Sequence, residues 1–121
     1  MGEMVRIDTD TIDGEVFNIG YKVVTKDLTS LGLRRNPNIV TFPVNQWYFL
    51  ADENVEEGVG DWGGIWLART APNARKLWDY MKSKHDTETR IFMATIDEVL
   101  FLNSYRIKTN GMMLYKELSV D

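Results

Sequence analysis

Trp66 sits in a short apolar run, Gly64-Ile65-Trp66-Leu67-Ala68, and Arg69 follows it just ahead of a helix-start signal. An indole at a strand end either fills a core or makes a stacking wall for a planar, base-like ring. Arg69 stands where a helix N-terminus presents free N–H groups and partial positive charge, a setting that suits an anion. Its bland alternative is a side chain lying along the surface with its head in water. Arg34 and Arg35 are placed to grip a pyrophosphate, or to be solvated residues of a turn. His85 is the only histidine, and a charged imidazole at a helix C-terminus is electrostatically favoured without any catalysis. One histidine and no cysteine leave no basis for a metal centre. Asp8, Asp10, Asp13 and Gly14 have some of a calcium loop's spacing, but Ile12 falls where a ligand belongs and no glutamate closes the loop. No glycine-rich phosphate loop is present, since Gly58-Val59-Gly60 lacks the rest of the motif.

These side chains need elements to hold them. Tyr21 to Thr25 is β-branched and aromatic and reads as a strand. Asp27 is expected to cap a short helix over Leu28 to Leu31 that Gly32 ends, and Pro37 makes a turn of residues 34–38. Ile39 to Phe42, Gln46 to Leu50, and Gly64 to Ala68 are expected strands; the acidic run from Ala51 to Asp61 is a loop, as a lid or a solvated connector. Thr70 caps a helix over 71–84 with Pro72 in its first turn, and Ala74, Leu77, Trp78 and Met81 form its apolar stripe. Thr89 to Ile96 is a central strand, and Asp97 to Leu100 a brief turn or helical turn. Two last strands flank Asn110-Gly111, read as a type I′ hairpin turn. Residues 1–18 form an acidic arm or an edge hairpin about Asp13-Gly14, and 19–121 a single domain. Strands outnumber helices around one main helix, so the class is α+β.

Three segments carry a family pattern. YKVVTKDLTSLGLRRNP holds Leu31-Gly32-Leu33-Arg34 and Pro37 after a strand. Gly64-Ile65-Trp66-Leu67-Ala68 runs into a helix bearing Ala74 and Trp78. NSYRIKTNGMMLYKEL, residues 103–118, pairs a polar strand start with a final apolar strand. Taken in order, they resemble the catalytic domain of the ADP-ribosyltransferase superfamily, in its diphtheria-toxin and poly(ADP-ribose) polymerase branch. The resemblance covers about residues 20–118. It implies a small, mostly antiparallel split sheet with one main helix. It also implies an NAD or related nucleotide in a cleft between Tyr21, Trp66 and Tyr105, contacted by Lys22, Arg34, Gly64, Arg69 and Ser104.

The family's chemistry rests on a histidine at the adenosine ribose, a tyrosine on nicotinamide and a glutamate that stabilises an oxocarbenium-like transition state. Here Lys22 or Val23 stands near the histidine's place, Trp66 replaces the tyrosine, Ala74 aligns with a nicotinamide-contacting serine, and Ser104 replaces the glutamate. A hydroxyl supplies a dipole where that transition state wants a fixed negative charge. Besides Ser104, the candidates for catalysis are the carboxylates Glu98 and Glu117, which lie off the motif.

Bulk properties frame these readings. The chain has 121 residues, 44% hydrophobic and 26% charged, room for one core. Its net charge of −4 disfavours duplex nucleic acid, although arginines and lysines gather near the patterned segments. No apolar run spans a membrane and no secretory leader is evident, which with the absent cysteines leads to an expectation of a cytoplasmic protein. Three functions follow as alternatives: a catalytically degenerate nucleotide-binding domain, an active transferase with a displaced acid, or a protein-interaction module.

Overall fold

Asp13 and Gly14 both take positive φ, 52° and 82°, and reverse the chain between β1 (Thr9–Ile12) and β2 (Glu15–Thr25). That is the backbone a two-residue primed turn requires. A computed structural model describes residues 5–31 and 39–119, which form eight strands and one α-helix. β2 is eleven residues long, so it crosses from the N-terminal arm into the main sheet without a break.

β2 sorts its side chains by the two-residue period of a strand. Ile19, Tyr21 and Val23 join Ile91 and Ala74 in one apolar cluster, on the face that α1 (Ala71–His85) covers. Val24, on the other face, joins a larger cluster with Ile65, Leu67, Phe92, Ala94, Ile107, Met112 and Leu114. That second cluster is closed by Phe42, with Leu28, Val40, Tyr48 and Leu50 packed around it. The covering layer on that face is therefore an irregular segment, in which the strand β3 is only Tyr48–Phe49.

The helix is local in origin. The Thr70 side chain accepts from the Asn73 amide at 3.3 Å, a cap worth about 1 kcal/mol. Lys82, Lys84 and His85 occupy the last turn, and Asp86 ends the helix in the left-handed region. Ala74 and Met81 are buried, while Leu77 and Trp78 pack half-buried at the rim.

Strands β5 (Thr89–Ile96), β6 (Val99–Leu102), β7 (Arg106–Thr109) and β8 (Gly111–Leu118) are a single long hairpin. The register that pairs Ile96 with Met112 carries straight on to pair Val99 with Thr109. At the junction the Asp97 amide donates to the Gly111 carbonyl at 3.0 Å, and the Glu98 amide to Asn110 Oδ1 at 2.9 Å. Irregularities at Met93/Ala94 and Val99/Phe101 flank that junction and increase its bend. The strand order β3-β8-β5-β2-β4-β7-β6 puts the hairpin's two halves on opposite sides of β2 and β4 (Ile65–Ala68). A flat sheet cannot do that, so the sheet rolls round its larger core.

Four sequence expectations are corrected. Asn110-Gly111 is no hairpin turn: β7 pairs with β4 and β6, β8 with β5 and β3, and the true reversal is at Asn103–Tyr105. Residues 97–100 do not form a helical turn, because Val99 and Leu100 already belong to β6. No helix follows Asp27; Leu28 has φ of 65° and Thr29 bridges to Thr41. The two strands expected over 39–50 shrink to that bridge and to β3. Gly32 and the turn at 34–38 lie outside the described residues. Among the described residues, the architecture is α+β with antiparallel strand pairing, and no helix is long and apolar enough to cross a membrane.

Candidate functional site

Trp66 is half-buried on β4 beside Lys108 of β7, its registered partner. The Arg106 guanidinium lies 4.0 Å from the indole centroid, the Lys108 ammonium 5.7 Å, and Phe101 meets it edge-on at 5.9 Å. Lys108 is fully buried, and its ammonium donates to the Gly58 carbonyl at 3.0 Å. Its aliphatic stem occupies the space where Gly64 has no side chain; a Cβ on Gly64 would overlap it. The loop 51–63 closes over this group: the indole N–H donates to the Asp61 carbonyl at 3.3 Å, and the Gly58 amide to the Leu100 carbonyl at 3.1 Å. The arrangement is two cations against an aromatic ring under an acidic strap.

Tyr21 and Lys22 were named together from the sequence, but as neighbours in a strand they point to opposite faces. Lys22 faces the larger core, 5.3 Å from the Phe42 ring, and its ammonium donates to the Trp66 carbonyl at 2.7 Å. Burial pushes this ammonium down from 10.5 to about 8. Tyr21 is buried on the helix face, and its hydroxyl donates to Asp8 Oδ2 at 2.8 Å. Desolvation first, then that hydrogen bond and the nearby charges of Asp8 and Asp10, push the phenol up to about 12. Tyr115 repeats the arrangement with Asp10 at 2.6 Å and is raised for the same reasons. Asp8 and Asp10 thus tie the N-terminal arm across the sheet.

Arg69, Ser104 and Tyr105 do come together, as a backbone clamp. Arg69 Nε donates to the Ser104 carbonyl at 2.9 Å, a nitrogen of the same guanidinium to the Arg6 carbonyl at 2.7 Å, and Asn73 adds a bond to Ser104 at 3.1 Å. The hairpin tip is itself held by Asn103 Oδ1, which accepts from the Tyr105 and Arg106 amides. Arg69 therefore commits two of its donors to chain carbonyls, and Tyr105 is 67% exposed. Of the carboxylates, Glu98 is exposed at the junction, and Glu117 forms a two-point ion pair with Arg90 at 2.8 Å and 2.9 Å, which lowers its pKa. Neither stands at the hairpin tip beside Ser104. Arg34 lies outside the described residues.

Two shallow clefts flank α1, of about 230 and about 200 Å³. None of the site residues named from the sequence lines either one, and both are smaller than usual ligand pockets. The second runs between Trp78, Lys82, Lys26 and Arg90.

Sequence reasoning missed a group at the sheet edge. Trp47 stacks on Phe49, centroids 5.3 Å apart and planes 9° apart, and Phe17 leans on Trp47 at 6.2 Å. Phe49 is 53% exposed, and neighbouring Val16 is 66% exposed. β3 is the outermost strand, with no strand on its other edge among the described residues. The available signal was the run Trp47-Tyr48-Phe49, in which alternation sends Tyr48 to the core and its two neighbours outward.

A scan against models of known families, a search of curated proteins and a search of solved structures each found no match.

Proposed function

We propose that this chain is a binding domain that acts through contact with another protein, and that Phe17, Trp47 and Phe49 are its contact surface. One observation carries this reading: Trp47 and Phe49 stack at the open edge of the sheet with Trp47 half-buried and Phe49 exposed, so burial in the core is not achieved. Exposed aromatic rings grouped in this way typify recognition surfaces. The test places a photo-crosslinking phenylalanine analogue at position 49, and at Tyr80 on the helix as a control, in cells that make the protein. A defined partner crosslinked from 49 alone, whose purified form loses binding to Phe49→Ser, is the expected result. Crosslinks no different from those at Tyr80 would sink the reading.

A second reading, a catalytically degenerate ADP-ribosyltransferase-like domain binding NAD or a related nucleotide, is favoured by the cations around Trp66. The Arg106 guanidinium against the Trp66 ring suits a ligand that is both aromatic and anionic. The replacement of the family's glutamate by Ser104 speaks for binding without turnover. Titration with NAD, ADP-ribose and AMP, followed at the Trp66 indole N–H by NMR, tests it. No shift at millimolar ligand removes this reading and leaves the first untouched.

A further inference from the structure

We infer that the occupant of the Phe17–Trp47–Phe49 surface is an extended, cationic protein segment, an inference that rests on the contact-surface reading above. The argument is from charge. Residues 7–21 carry four acids, 39–68 five and 91–105 two, and none of these stretches contains a lysine or arginine. The first and last of them build this edge, whereas the five acids of 39–68 all lie in the loop over Trp66 and Lys108. Asp10 pairs with Phe17 in the β1–β2 ladder, and the Asp97 amide bonds Gly111, the residue paired with Phe49. Glu15 and Glu98 stand exposed on the adjoining turns. Asp10, Glu15, Asp97 and Glu98, on stretches without a lysine or arginine, set up a negative field at this edge that favours lysine and arginine and repels nucleic acid or an anionic lipid surface. The exposed ring of Phe49 adds the aromatic half of a cation–π contact.

The form of the partner follows from the edge. β3 is two residues long, and the Leu50 amide already bonds the Asn110 carbonyl at 2.9 Å, so its inner side is filled. Its outer side offers main chain to a strand laid alongside, with alternate side chains of the newcomer falling over Trp47 and Phe49.

Short capped peptides of alternating lysine and threonine, and matched peptides with glutamate or glutamine in place of lysine, test the inference against the full chain. The Trp47 indole N–H is followed by NMR, with added salt as a second variable. The lysine peptide shifts that signal, the glutamate peptide does not, and binding falls steeply with salt. Glu15→Gln with Glu98→Gln, exposed changes that leave the packing alone, weakens the lysine peptide several-fold and reduces the salt dependence. Equal binding of the glutamine and lysine peptides overturns the cationic occupant while leaving the contact surface standing. No shift at Trp47 with any peptide also overturns it, and crosslinking from position 49 then decides the contact surface separately.

Discussion

The Lys22 ammonium takes the place of a missing ladder donor on the Trp66 carbonyl. Strands β2 and β4 meet at one registered pair, Tyr21 with Ala68, and then diverge. The Trp66 carbonyl, two residues back along β4, is satisfied at 2.7 Å by a side chain from the neighbouring strand. Gly20 lets the strands approach there, since a Cβ would stand 3.1 Å from Leu67. The sheet is thus split at β2 and β4 and stitched by a lysine.

That stitch has a pH signature. Lys22 binds its proton less tightly folded, about 8, than unfolded, 10.5, so the unfolded chain holds more proton between those values and stability rises with pH across them. At about 1.4 kcal/mol per proton per pH unit, the rise is at most about 3 kcal/mol. Tyr21 acts in the opposite sense: its pKa is raised from 10.0 to about 12, so its contribution is lost above pH 10. Urea midpoints measured from pH 7 to 10 rise in the wild type and stay flat in Lys22→Met. Equal slopes in the two would remove Lys22 as the cause.

Gly111 is needed because the Phe49 ring lies where its Cβ would be. Gly111→Ala is expected to cost about 1–3 kcal/mol by forcing that ring aside. In Phe49→Ala the same change costs much less, so a double-mutant cycle shows coupling between the two positions. Additive effects would mean that the alanine clashes elsewhere.

Thr95 is fully buried, and its hydroxyl has no hydrogen-bond partner among the described residues. Thr95→Val keeps the β-branched shape and removes the orphaned polar group, so it stabilises by about 1 kcal/mol in chemical denaturation. A loss of stability would show that the hydroxyl is satisfied in solution.

Arg69 fastens the hairpin tip and the N-terminal segment to the start of α1. Arg69→Gln frees both, at a cost of about 1–2 kcal/mol for two charge-assisted bonds that are partly solvated. Amide exchange at Tyr105 and at Ile19, whose amide donates to the Asp8 carbonyl at 2.9 Å, accelerates together, while exchange at Ile91 tracks only global stability. Protection retained at both sites would show that the guanidinium is dispensable.

Local signals made α1 legible: Thr70, Pro72 and the apolar stripe each act within one or two turns. β5 was legible for the same reason, from its own run of β-branched and apolar residues. Asn110-Gly111 misled because the same dipeptide serves two purposes. Here Gly111 makes room for Phe49, and the Asn110 side chain accepts from the Glu98 amide and donates to Asp97 Oδ2, contacts that no short window contains. The candidate site divided along the same line. That Tyr21 and Lys22 lie on opposite faces follows from strand period alone, whereas the burial of Lys108 depends on a glycine and a loop far from it in sequence.

The pairing that runs from Ile91 with Leu118 through two bulges to Leu102 with Ile107 also bears on how the chain reaches its fold. Most of that hairpin closes by zipping from its tip at Asn103–Tyr105, where each new pair encloses only a few more residues. One spine then serves as template for both half-sheets, β2 adding to one side and β4 to the other. On that order, the meeting of those two added strands at Tyr21 and Ala68 is expected to come last. Substitutions at the tip should therefore alter the folding rate, and those at the stitch the unfolding rate.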